Sequence, residues 1–229
     1  MKFTTKRKKE ILDKVNFNKE YSINEAVDII KDLKALNFDE TIEIAINLGV
    51  DPRHADQNIR VTSSLPNGSG KKVKILVLSN ESDIKKSIDA GADYAGNDDF
   101  LQKLESGWSD IDTIVAHPSI MPKLGKLGKI LGPKGLMPNP KSGTVSSNVV
   151  NSVKDIKSGR IELRVDKNGI VHAPIGKKSF PSKHLVENYN SVLKTISGSK
   201  PPSFKGTFLK KITISSTMGP GLKIERVVV

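Results

Sequence analysis

The residues able to do chemistry in this chain are few, and their spacing is wrong for catalysis. The four histidines, His54, His117, His172 and His184, share no metal-ligand spacing. There is no cysteine, which removes disulfides, zinc ribbons, iron–sulfur clusters and thiol nucleophiles. No two carboxylates read as a paired acid–base cleft. A phosphate-binding loop runs glycines into Lys and then Ser or Thr; Gly132-Pro-Lys-Gly135 has neither the spacing nor the ending. Asn80-Glu-Ser-Asp83 stands where a nucleotide-binding turn would sit. It holds no glycine, and its acidic residues would repel phosphate at a helix start. The sequence therefore predicts no enzyme, no metal site and no cofactor.

Two stretches suit recognition instead. Ser215-Ser-Thr-Met-Gly-Pro-Gly221 groups three hydroxyls with a methionine and open backbone. Such a segment lets ribose and phosphate approach closely, and the 2′-hydroxyl of RNA offers both a donor and an acceptor. The same residues also suit a plain Gly-Pro turn with a core methionine. The second stretch, Met121–Thr144, carries four prolines, five glycines and five lysines without an acidic residue. Proline fixes φ and glycine frees it, so no long regular element is expected there. Yet Leu124, Leu127, Ile130, Leu131, Leu136 and Met137 make it too apolar for a solvated tether. It reads as an ordered, positively charged loop pinned to a domain surface.

Charge points the same way. The 229 residues carry a formal net charge of +12, with a pI near 9.7. That excess favours a polyanion or an anionic membrane surface. No apolar run approaches transmembrane length, and no basic amphipathic helix for a membrane surface is present. The basic start, Lys6-Arg-Lys-Lys9, does not lead into a signal-peptide core. A cytoplasmic protein bound to nucleic acid fits best, with Met1–Lys9 either a solvated arm or an arm that touches RNA. Aromatic residues are only 5%, which leaves little for base stacking. Recognition of a folded RNA's shape, sugars and phosphates is expected.

These stretches must be positioned by regular elements. Ser22-Ile-Asn-Glu25 reads as a capping box, opening a helix expected to end near Asn37. Thr41–Leu48 alternates apolar and polar, as a half-exposed strand does. A second strand is expected over Ile59–Leu65. From Val73 to Leu78 the run is continuously apolar, as in a strand covered on both faces. A helix over Ser82–Ala90, a short strand Ala92–Ala95, a helix Asp98–Glu105, a strand Ile111–Ala116 and a helix from Ser147 to Lys157 follow. Then Ile161–Val165 alternates again, Asp166-Lys-Asn-Gly169 turns, and Ile170–Ala173 returns as its hairpin partner. A helix over Lys183–Ile196 and strands Phe208–Ser215 and Leu222–Val228 complete the chain. The fold class is α/β and α+β in two domains. Domain I is an α+β antiparallel-sheet domain built from both ends, 1–67 plus 160–229. Domain II is an inserted Rossmann-like βαβ domain, 68–159. The crossings at Pro66–Gly70 and Ser158–Arg160 form a natural hinge.

Gly132-Pro-Lys-Gly-Leu-Met-Pro-Asn-Pro-Lys-Ser-Gly-Thr144 resembles the signature of the L-one family of large-subunit ribosomal proteins, in its bacterial form. Asn37-Phe-Asp-Glu-Thr41, Asp51-Pro-Arg-His-Ala-Asp-Gln-Asn58, Asp166-Lys-Asn-Gly169 and Thr217-Met-Gly219 extend the resemblance over the chain. It implies a structural constituent of the large subunit, bound to ribosomal RNA of the mobile stalk beside the transfer RNA exit site. It further implies translational repression through the messenger RNA of its own operon, with transfer RNA as a third partner and a monomer when free. Carried over residue by residue, the RNA contacts are Phe38, Thr41, Glu43, Arg53, Asp166, Lys167, Ser215, Thr217, Met218 and Gly219. Lys205 and Lys210 add candidate phosphate contacts, or are solvated surface. Phe38 also suits a core position, and Asp166 also suits a turn-stabilising one.

Overall fold

A computed structural model describes residues 6–34, 36–54, 56–202 and 204–225. In chain order the elements are α1 (Lys6–Lys14), α2 (Ile23–Asp32), β1 (Thr41–Leu48), β2 (Arg60–Ser64), β3 (Ile75–Leu78), α3 (Glu81–Asp89), β4 (Tyr94–Gly96), α4 (Asp98–Glu105) and β5 (Thr113–Ala116). Then come α5 (Met121–Lys126), α6 (Gly128–Leu131), α7 (Val149–Lys157), β6 (Arg160–Arg164), β7 (Ile170–Lys177), α8 (Ser182–Gly198), β8 (Leu209–Ser216) and β9 (Leu222–Ile224). The chain divides into two compact units. Unit 1 takes both ends, up to Gly70 and from Ile161 on, and unit 2 is Lys71–Arg160.

Unit 1 is organised on β1. Ile42, Ile44, Ile46 and Leu48 are buried while Glu43 is exposed, the period-2 pattern of a strand with one wet face. β7 and β8 flank it, both antiparallel, and β9 extends β8, giving the order β7-β1-β8-β9. The buried face joins α2 (Ala26, Val27, Ile30) and α8 (Leu185, Tyr189, Val192, Leu193, Ile196) in one core. The capping box of α2 forms: Ser22 Oγ accepts from the Glu25 amide at 3.3 Å, and the Glu25 carboxylate accepts from the Ser22 amide at 3.4 Å.

Three expectations are corrected in unit 1. The hairpin of 161–165 with 170–173 does not form. β6 pairs with β2 in a separate two-stranded sheet, and a single bridge, Val165–Val171, marks the expected pairing. The physical reason is that Val171, Ala173 and Ile175 of β7 are needed beside the isoleucines of β1 to complete the core. Helix α2 stops at Asp32, well before Asn37, because Leu33 turns extended (φ −66°, ψ 144°) and is itself buried. Lys6–Lys9 are the opening turns of α1 and not an arm; Ile11 and Val15 hold that helix to the core. Met1–Thr5 lie outside the described residues, as does the end of the expected strand beyond Glu225.

Unit 2 holds a parallel three-stranded sheet in the order β4-β3-β5. All four residues of β3 are buried. Leu76 and Leu78 join one cluster with Leu101, Leu104, Leu124 and Leu131, while Ile75 and Val77 join another with Val149 and Val153. Successive residues face opposite sides, so each side receives every second one. The Met121–Thr144 stretch is pinned as expected, through buried Leu124, Leu127, Leu131 and Leu136. It is not one loop, however: it folds as the short helices α5 and α6 and a 3₁₀ turn over Pro140–Ser142. In α3 the apolar residue Ile88 is 51% exposed while Ser87 is buried. Ser87 Oγ donates to the Asp83 carbonyl at 2.7 Å, which lets it sit inside. Among the described residues no helix is long and apolar enough to cross a membrane.

Candidate nucleic-acid interface

The turn after β8 is tied to the start of β1 by a short, complete set of hydrogen bonds. The Thr217 amide donates to the Thr41 carbonyl at 3.0 Å. The Thr217 hydroxyl accepts from the Thr41 amide at 3.0 Å and donates to the Thr41 carbonyl at 3.2 Å. The Gly219 amide closes the turn on the Ser216 carbonyl at 3.0 Å. A Cβ at Gly219 would collide with Ser216 Oγ, so a larger residue there would have to displace that hydroxyl. Above this frame Met218 is 61% exposed, and Phe38, on the segment leading into β1, is 52% exposed. Neither belongs to the core, so the alternative readings of a buried methionine and a core phenylalanine are set aside. Next to Phe38, Asp39 is held by the Ser179 hydroxyl at 2.7 Å.

Beneath the ledge lies Glu40, 1% exposed. Its Oε1 accepts from the Met218 amide (3.1 Å), the Ser216 hydroxyl (3.3 Å) and Arg7 Nη2 (3.2 Å). Lys178 Nζ stands 3.5 Å from Oε2. Burial works against the charged form, but the Met218 amide, the Arg7 guanidinium and Lys178 outweigh it and hold the carboxyl below its ordinary range. Glu40 and Lys178 carry no role in the sequence reading, and Arg7 and Ser216 enter it only as members of the basic start and of the hydroxyl run. A lone glutamate before a strand carries no signal, and its partners come from three distant segments.

The outer face of the sheet continues from this ledge. Glu43 pairs with Ser215 across β1 and β8, and Ala45 with Thr213. Thr213 in turn pairs with Lys223 of β9. Thr41 Oγ1 accepts from Lys177 Nζ at 2.8 Å. The structure thus gathers Phe38, Thr41, Glu43, Ser215, Thr217, Met218 and Gly219 at one end of β1.

Arg53, Asp166, Lys167 and Lys205 belong to the other end. The Leu48 amide donates to the Gly169 carbonyl and the Gly49 amide to the Phe208 carbonyl, which ties both loops there. β1 has eight residues, so at roughly 3.3 Å per residue its ends lie about 23 Å apart. Asp166 Oδ1 accepts from the Asn168 and Ile170 amides, both at 2.8 Å, and Gly169 takes φ +77°. Those bonds, the Ile170 amide foremost, hold the Asp166 carboxyl below its ordinary range, as a turn-stabilising aspartate requires. Lys167 is exposed at the tip of that turn, and Arg53 is exposed on a loop where its amide donates to Asp51 at 3.0 Å. Lys205 is exposed on the segment that closes over Gly49, and Lys210 is exposed at a register shift in β8.

In unit 2 the lysine-rich stretch is less free than its sequence suggests. Lys123 pairs with Asp98 at 2.6 Å and Lys134 donates to the Gly107 carbonyl at 3.2 Å. Among the described residues no group of three or more His, Cys, Asp or Glu side chains could hold a metal ion.

Fold and surface together define a class: a mixed α/β protein whose candidate site is a fixed ledge of backbone, hydroxyl and thioether groups, suited to holding a partner. The model of the Ribosomal protein L1p/L10e family matches residues 29–220. The chain belongs to that family, which is one of ribosomal proteins and not of enzymes. Its relatives include the large ribosomal subunit protein uL1 of Protochlamydia amoebophila, 48% identical over 96% of this chain and 94% of the relative. That of Chlorobaculum tepidum is 50% identical over 93% of this chain and 92% of the relative. That of Thermus thermophilus is 47% identical over 96% of both.

Proposed function

We propose that this protein is a structural constituent of the large ribosomal subunit, in the cytoplasm, that binds the ribosomal RNA of the mobile stalk near the transfer RNA exit site. It also represses translation by binding a similar fold in the messenger RNA of its own operon, it touches transfer RNA at the exit site, and it is a monomer when free. The observation that carries this reading is the ledge itself: Met218 and Phe38 held in solvent over a frame of satisfied backbone. The relatives' shared name supports the ribosomal placement.

On this reading both chain ends form the RNA-binding domain I, 1–67 with 160–229, and 68–159 is an inserted Rossmann-like domain II. The compact units and the parallel sheet of unit 2 support that division. The principal contacts are Phe38, Thr41, Glu43, Ser215, Thr217, Met218 and Gly219. Arg53, Asp166, Lys167 and Lys205 serve a second segment of the same RNA about one strand length away. Met218 shields the polar contacts from water, and a net charge of +12 draws in the phosphates.

A footprint on large-subunit RNA tests the reading. Protection confined to the stalk is expected, with affinity falling as salt rises in proportion to the phosphates neutralised. Absence of a stalk footprint, or a salt-independent dissociation constant, would overturn it.

A further inference from the structure

Glu40 is an expensive group to bury. A carboxylate inside a protein needs its charge and its lone pairs met; here groups from three segments meet the charge, and Oε1 takes three hydrogen bonds while Oε2 faces Lys178 without one. Arg7 arrives from α1, Lys178 follows β7, and Ser216 and Met218 come from the end of β8 and its turn. The backbone joins in, as the Lys178 amide donates to the Glu40 carbonyl at 2.8 Å. One feature separates this from an ordinary buried ion pair. A carboxylate oxygen grips, from below, the amide of a residue whose side chain stands in solvent. The same oxygen holds Ser216 Oγ, against which Gly219 is closed.

We infer that Glu40 is a positioning residue: its carboxylate fixes the backbone of Ser216–Gly219 against β1 and so holds the ledge in its RNA-binding shape. This rests on the RNA reading of the ledge given above. A loop fixed before the partner arrives loses less conformational freedom on binding, which raises affinity without adding a contact. Glu40 itself, being buried, touches no RNA.

The test is Glu40→Gln, which keeps the shape, removes the charge and replaces one acceptor by a donor. Two quantities are read: exchange of the Met218 amide in the free protein, and affinity for a stalk fragment of ribosomal RNA. Met218 exchange should quicken about tenfold or more, because its acceptor weakens. RNA affinity should fall on the order of ten- to a hundredfold. Met218→Ala, costly in the unaltered protein, should cost under about threefold in the Glu40→Gln background, since both act through one loop. A merely structural role predicts the opposite, independent losses that multiply.

Unchanged Met218 exchange, or multiplying losses, overturns the inference. If Glu40→Gln does not fold, Ser216→Ala keeps every charge and removes only the hydroxyl bond to Glu40. It should still quicken Met218 exchange, and an unaltered rate overturns the inference. Quickened exchange in a protein that never bound the RNA would support the positioning and overturn the RNA reading.

Discussion

At the scale of single residues, the neighbours Thr217 and Met218 have separate tasks. The Thr217 hydroxyl is spent on both backbone groups of Thr41, so it builds the ledge before it meets any partner. Met218 is exposed and contributes only its amide to the frame. Met218→Ala should therefore leave stability within about 0.5 kcal/mol, while weakening RNA binding on the order of ten- to a hundredfold. Thr217→Val should cost about 1 kcal/mol of stability as well as affinity. Thermal melts and RNA titrations on the two variants separate these outcomes. The Ser-Thr-Met-Gly run was legible in the sequence as a place for close backbone approach. The exposure of Met218 was read there too, beside the alternative of a core methionine, which the structure sets aside.

Glu40 was illegible for a plainer reason. It is 33 residues from Arg7 and 178 from Met218, and no local pattern reports such distances. Its charge has a consequence that a pH series can read. Because the folded carboxyl is held below the ordinary glutamate value of 4.5, it contributes stability that is present above that value. That stability is lost as pH falls through the lower, folded value. Between pH 6 and 3 the denaturant midpoint of the unaltered protein should drop more steeply than that of Glu40→Gln. Parallel curves would show that Glu40 carries no such linkage.

At the scale of elements, local signals were read well and partnerships were not. The capping box of α2 and the bounds of α4 follow from residues within one turn of each other. The partner of β7 depends on which apolar face it completes, and that is settled by β1, more than a hundred residues earlier. Helix α8 shows the same limit. Its apolar face was legible, but Asn188, buried among Leu185, Tyr189 and Val192, was not marked by periodicity. Asn188 Oδ1 accepts from the Asn67 amide at 3.1 Å, and Nδ2 donates to the Gly68 and Ile175 carbonyls at 3.0 and 2.8 Å. It thereby fastens the segment leaving β2 to α8 and β7. Asn188→Ala strands these backbone groups and should destabilise unit 1 by at least about 2 kcal/mol. Chemical denaturation checks this, and a loss under about 0.5 kcal/mol would argue against it.

At the scale of the whole molecule, the chain carries separate cores. One joins residues from Val15 to Leu65 with residues from Leu163 to Ile224; the others lie wholly within 73–156. In the sequence, alternating apolar runs give way to continuous ones near Val73 and return near Ile161. Every candidate contact falls within unit 1, which has its own sheet and its own core. The most direct test of the account is to replace 71–160 by a short glycine linker and titrate the stalk fragment of ribosomal RNA against this variant and the full chain. Affinities within about tenfold, or 1.4 kcal/mol, are expected. A larger loss, in a variant shown to be folded, would contradict the claim that the ledge of unit 1 holds the RNA.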